Sequence, residues 1–190
     1  ENCYDLKSEF ESNWLGSTNN NPTNAPFQEP DDISPYGLNY GSYRLDSLDT
    51  ITIHYSAGPN DVDGTIRSLK KSGNSYHFIV DHNGAFTKLI DEEYTAWHDN
   101  SNDNNSTSIG ISFLNWGWDS DGAERSDIST NDWVGSGYYQ GKRLKWEPYT
   151  SAQIQGGLNL VRDLISLYPQ IKYIYGHEDS INKADPGPLF

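Results

Sequence analysis

The sequence predicts an α/β domain built on a single central, mostly mixed β-sheet flanked by helices. Three observations lead there. Short strand-like runs recur from residue 49 to the C-terminus, two helix-like segments lie among them, and Gly, Pro or Asn marks most of the transitions. A chain of 190 residues with 34% hydrophobic and 13% aromatic content is sufficient for one domain with its own core.

The elements follow in order. Residues 1–45 read as an acidic, Asn/Pro-rich arm or linker, typified by "GSTNNNPTNAPFQEPDDISPYG", with a short helix possible in "CYDLKSEFESNWL". The domain proper is expected over 46–190. "TITIHYSA" alternates Ile51, Ile53 and Tyr55 with Thr52 and His54, the pattern of a half-exposed strand. "GTIRSLKK", residues 64–71, reads as a short helix stopped at Gly73. "YHFIVD" and "AFTKLI" flank "HNG", a hairpin signal. "TSIGISFLN" is a further strand. An aromatic insertion follows over 115–149, with Trp116, Trp118, Trp133, Tyr138, Tyr139 and Trp146. "TSAQIQGGLNLVRDLISLYP" is the clearest helix: Thr150 and Gln153 have capping-box spacing, Ile154, Leu158, Val161 and Ile165 form an apolar stripe, and Pro169 ends it. "IKYIYG" is the last strand and delivers His177.

Charge narrows the partners. The formal net charge is −14 and the pI near 4.5. Such a surface repels polyanions, so neither nucleic acid nor an anionic membrane surface is an expected partner. No run of about 18 apolar residues exists, and no membrane insertion is expected. The first ten residues lack the charged and apolar regions of a signal peptide. The absence of any Met fits a processed chain or a piece of a longer product. The lone Cys3 has no partner for an internal disulfide.

The chemistry concentrates in "YGHEDSINKADPGPLF". His177, Lys183 and Asp185 share this loop, and prolines on both sides of Gly187 stiffen it. A catalytic zinc takes three protein ligands and leaves a position for water. Of the five histidines, His54 and His177 stand at or just past the ends of expected strands, where backbone rigidity suits metal geometry. Asp185 is the candidate third ligand. Spacing alone makes this a moderate signal.

Four blocks, "TIHYSAG", "SYHFIVDHNG", "AWHDN…NSTSIGISF" and "GHEDSINKADPGPLF", occur in that order. Together they resemble the zinc-dependent N-acetylmuramoyl-L-alanine amidases, the superfamily of phage amidase lysozymes, bacterial type 2 amidases and peptidoglycan recognition proteins. The resemblance covers roughly residues 48–190. It implies an amidase-like fold, one zinc per chain held by His54, His177 and Asp185, and a substrate in bacterial peptidoglycan. The implied reaction is hydrolysis of the amide between N-acetylmuramic acid and L-alanine. Lys183 is implied as an oxyanion partner and Tyr76 as a catalytic hydroxyl. The alternatives are a non-catalytic peptidoglycan-binding module on the same fold, a zinc peptidase cutting within the stem peptide, and a structural domain of a phage particle. Trp97 and His98 are candidate substrate contacts, with a loop cap the competing role for His98. His77 is expected to be structural and His82 exposed.

Two departures from the family pattern stand out. Recycling-type members carry a catalytic Glu directly after "SIGI"; here Ser112 stands there, which gives Tyr76 more weight. The 115–149 insertion is longer than a minimal member needs. It reads as a satellite core or as a sugar-stacking surface.

Overall fold

The computed structural model describes residues 33–58, 60–120, 133–139, 142–179 and 183–190. The helix expected near residues 3–15 lies outside them. Ten strands and three α-helices are found among the described residues.

The central sheet has five strands: β2 (Thr50–Tyr55), β3 (Phe78–Val80), β4 (Phe86–Lys88), β6 (Ser108–Phe113) and β10 (Tyr173–Gly176), in the order β10-β2-β6-β3-β4. Four are parallel and β4 is antiparallel to β3, so the sheet is mixed as expected. Ile51 pairs with Ile109 and Ile53 with Ile111. With this register, alternate residues of neighbouring strands form common faces.

Two helices cover opposite faces. α1 (Val62–Ser72) is capped by Asp61, whose side chain accepts from Gly64 N, and ends at Gly73 with φ 78°. Its Ile66 and Leu69 pack with Ile79, Leu89, Ile90 and Leu114. On the other face, the long helix Ser151–Leu167 sets Leu160, Val161 and Leu164 against Ile51, Ile53, Ile109, Ile111 and Phe113. The third helix is a short one, Asn102–Thr107, so the three are α1, α2 (Asn102–Thr107) and α3 (Ser151–Leu167). Thr150 caps α3, accepting from Gln153 N, but the reciprocal half of the expected capping box is not made, because the Gln153 side chain turns to the sheet instead.

Three expectations need correction. β2 is not half-exposed: all six residues are buried. Its alternation separates an apolar face under α3 from a polar face, Thr50, Thr52 and His54, that turns inward. The contact stripe of α3 is also shifted. Gln153, Gly157, Leu160, Val161 and Leu164 are buried, whereas Leu158 is 41% exposed. Gly157 admits the Phe113 ring, which a Cβ would meet at 2.3 Å. Gln153 Nε2 donates to the Leu114 and Val80 carbonyls. Val161 and Ile165 pack on the core as expected, whereas nearer the helix start a small residue and an amide hold the contact that Ile154 and Leu158 were expected to make. His82 is half-buried rather than exposed.

The packed structure also begins earlier than the arm's composition suggests. Leu38 is buried in the α1-side core, and β1 (Tyr40–Tyr43) pairs antiparallel with β5 (Tyr94–Ala96). Arg44 is buried, and its Nε donates to the Tyr94 carbonyl at 2.9 Å.

The described part of the 115–149 insertion forms a separate antiparallel sheet. Its strands are β7 (Trp118–Ser120), β8 (Val134–Tyr139) and β9 (Lys142–Trp146), in the order β7-β9-β8. Leu144 and Trp146 pack with Tyr55 and Ala184, joined by Trp118 and Leu189. For these residues the satellite-core reading holds.

Candidate metal centre

The centre lies where β2 and β10 end. Parallel strands deliver their C-terminal ends to one edge of the sheet, which is where α/β folds place their sites. His54 is the fifth residue of β2, on the central sheet's polar face. His177 follows β10 directly. Asp185 returns on the C-terminal loop, where Glu178 N donates to its carbonyl oxygen at 2.7 Å. The Asp185–Pro186 peptide bond is cis. Gly187, at φ 83°, faces the Trp146 ring, which a Cβ would meet at 2.6 Å. Tyr149 OH donates to the Pro186 carbonyl at 2.8 Å. The insertion sheet and the segment leading into α3 thus brace the loop that carries Asp185.

Three ligand-capable atoms converge there. His54 Nδ1 and His177 Nδ1 are 3.1 Å apart, and each is 2.9 Å from Asp185 Oδ2. All three residues are buried. A tetrahedral ion with bonds of about 2.0–2.1 Å spaces its ligand atoms by roughly 3.3 Å. The triangle therefore needs to open by only a few tenths of an ångström. Two imidazoles and one carboxylate are a zinc donor set, and the residues present fit that ion.

Electrostatics keep these groups in the states a cation needs. Burial lowers the His54 pKa, against the opposing pull of Asp185, so its ring is neutral near pH 7. Burial would raise Asp185, but hydrogen bonds from His177 and His54 outweigh it and hold the carboxyl below the usual range. A neutral imidazole and an ionised carboxylate are the ligating forms.

The N-acetylmuramoyl-L-alanine amidase family matches residues 44–188. The chain belongs to the N-acetylmuramoyl-L-alanine amidase family. Among solved structures, it is similar to the N-acetylmuramyl-L-alanine amidase AmiD of E. coli, in complex with anhydro-N-acetylmuramic acid-L-Ala-D-γ-Glu-L-Lys. That similarity has 29% identity and a TM-score of 0.57, over 78% of this chain and 55% of that one. AmpDh3 of Pseudomonas aeruginosa, in complex with anhydromuramic pentapeptide, matches at 19% identity and TM-score 0.56, over 92% and 63%. The amidase LysC of Clostridium intestinale matches at 19% and 0.55, over 81% and 87%. The chain thus spans 55% and 63% of the first two relatives' lengths. No curated protein matches it.

Within this amidase-family fold, Tyr76 lies beside the metal centre, its ring centroid 5.0 Å from that of His54. Burial and the Asp185 charge raise its pKa, and the neighbouring Ser112 hydroxyl opposes the shift, so the phenol keeps its proton at neutral pH. Lys183 is exposed, two residues ahead of Asp185. Trp97 is half-buried and packs against Gly41. His98 is 7% exposed and stands behind His54, its Nδ1 3.1 Å from His54 Nε2. His77 is structural, accepting from Gly110 N at Nδ1 and lying 2.9 Å from the Tyr94 carbonyl through Nε2.

Sequence reasoning missed three residues. Asp99 Oδ2 is 3.8 Å from His177 Nε2. Asn105, 2% exposed, fastens the segment carrying His98 and Asp99. Gly110 makes room for the His98 ring, which a Cβ would meet at 2.5 Å. The signal for all three was the pairing of "WHDN" with "NSTSIG", two blocks that fold against each other.

Proposed function

We propose that the chain is a zinc-dependent peptidoglycan hydrolase that cleaves the amide between the lactyl group of N-acetylmuramic acid and L-alanine. The observation that carries this reading is the buried convergence of His54 Nδ1, His177 Nδ1 and Asp185 Oδ2 within 3.1 Å, on this family's fold. The muropeptide bound to the E. coli relative contains that bond, which supports the choice of substrate.

His54, His177 and Asp185 would hold one zinc ion. When bound, zinc lowers the pKa of water towards about 7 and polarises a carbonyl. The chain's own residues do the rest. Tyr76, protonated beside His54, donates a hydrogen bond to the water or to the developing oxyanion. Lys183 supplies a compact ammonium donor that is worth most once negative charge has formed on the carbonyl oxygen. The leaving amine needs a proton. With Ser112 in place of a carboxylic acid, Tyr76 is the protonated group next to the centre that can relay one.

A non-catalytic binding module on this fold is the competing reading. The complete ligand trio favours the enzyme. Metal analysis with product analysis on purified peptidoglycan tests it. New L-alanine amino termini without new reducing sugars are expected, in proportion to zinc. Zinc-loaded protein that binds peptidoglycan and releases no amino termini would overturn the reading.

A further inference from the structure

We propose that His98 and Asp99, adjacent in sequence, are positioning residues that orient the two imidazole ligands, one each. This rests on the zinc reading above and concerns what lies behind the ligands. His54 presents Nδ1 to the centre, which leaves Nε2 to carry its proton. That nitrogen lies 3.1 Å from His98 Nδ1. His98 Nε2 in turn faces the Ser108 carbonyl at 3.4 Å and the Ser108 hydroxyl oxygen at 3.3 Å. The Ser108 hydroxyl proton is already donated to the Asn104 carbonyl at 2.6 Å, so its oxygen is an acceptor for His98. Ligation through Nδ1 therefore fixes a single proton arrangement: His54 Nε2–H to His98 Nδ1, and His98 Nε2–H to Ser108.

Asp99 serves the other ligand. Its Oδ2 is 3.8 Å from His177 Nε2, with Asp99 Oδ1 accepting from Ser101 N and Oδ2 from Asn104 Nδ2. The carboxylate is held by these donors and faces the ring nitrogen that the centre does not use. At 3.8 Å the pair is longer than a hydrogen bond, so Asp99 acts on the ring through its nearby negative charge, favouring the tautomer that carries its proton on Nε2.

The pair is rigid because one buried carboxamide holds both backbones. Asn105 Oδ1 accepts from His98 N at 3.0 Å and Asp99 N at 2.8 Å, and its Nδ2 donates to the Asp99 carbonyl at 2.7 Å. Gly110 completes the seat by leaving space for the His98 ring.

The test measures zinc affinity of the full chain by competition with a chromophoric chelator. Thermal stability of the zinc-free protein is followed in parallel. His98→Ala and Asp99→Asn are each expected to weaken zinc binding about ten- to a hundredfold. His98→Gln, which keeps an acceptor oxygen, is expected to recover much of the loss. A purely structural role would lower zinc-free stability and leave the affinity of the folded fraction unchanged; that result overturns the proposal. Long-range nitrogen–proton correlation spectra of zinc-loaded wild type provide an arm that needs no variant. Protons on Nε2 of both His54 and His98 support the proposal, and a proton on Nδ1 of His98 overturns it. Wild type that takes up no zinc removes the functional reading and this inference together. Wild type that binds zinc, with variant affinities unchanged, removes the inference alone.

Discussion

The Nδ1 atoms of His54 and His177 stand 3.1 Å apart, although 123 residues separate them in the chain. Two imidazole nitrogens placed so closely, with Asp185 Oδ2 2.9 Å from each, make each ligand dependent on the others. Asp185→Ala is expected to lose zinc and activity together, because two ligands seldom hold the ion tightly. Metal content after gel filtration checks this. A variant that keeps one zinc per chain would remove Asp185 from the ligand set.

Tyr76 and Lys183 should behave differently from the ligands. Tyr76→Phe retains the ring against His54 and removes only the hydroxyl. It should keep zinc and lose about a hundred- to ten-thousandfold in kcat. Lys183→Ala should keep zinc and lower kcat by roughly a hundred- to a thousandfold with little change in KM. Steady-state kinetics on a soluble muropeptide separate the two from each other and from Asp185→Ala. Near-wild-type rates in either variant would remove that residue from the mechanism.

Gly110 matters through a ring it never bonds. In Gly110→Ala the new methyl would lie 2.5 Å from His98 Cγ and 2.6 Å from Cδ2. His98 is wedged between β6 and His54, so it has little room to yield. The expected cost is about 1–3 kcal/mol of stability, with weaker zinc binding as His98 shifts. Chemical denaturation with and without zinc reads both. Unchanged values in both would show that the ring moves freely.

Acid should weaken the zinc-free fold well before the carboxylates titrate. Burial, chiefly, lowers the pKa values of His77 and His98 well below the ordinary histidine value, and it lowers that of His54. Below about pH 6.5 the unfolded chain takes up protons that the folded chain refuses, so stability falls with pH by up to about 1.4 kcal/mol per unit for each such group. Asp185 acts in the same direction at lower pH, since its depressed pKa contributes stability that is lost below the unfolded carboxylate value of about 3.9. Urea midpoints of zinc-free protein at pH 7.5 and 5.5 test the histidine part. A flat or rising profile toward acid would contradict it.

The sequence by itself determined the order of the central-sheet strands and of the two long helices, the helix cap at Thr150, the hairpin around "HNG" and the four blocks that point to the candidate metal ligands; β1, β5 and α2 it did not mark. These are local signals: turn chemistry, period and motif content are written in neighbouring residues. Tertiary structure alone decided what the polar alternation in β2 was for. Thr52 and His54 look solvent-facing in one dimension, yet they are 3% and 0% exposed because the strand is central and its polar face turns toward the site. It also decided which stripe of α3 packs, because Gly157 and Gln153 make their contacts with Phe113 and with strand-end carbonyls far away in sequence. The same holds for His98. Read along the chain, it is a polar residue beside a tryptophan and fits a substrate contact. Its place behind His54 follows from β5, α2 and β6 folding onto β2, which no local pattern encodes.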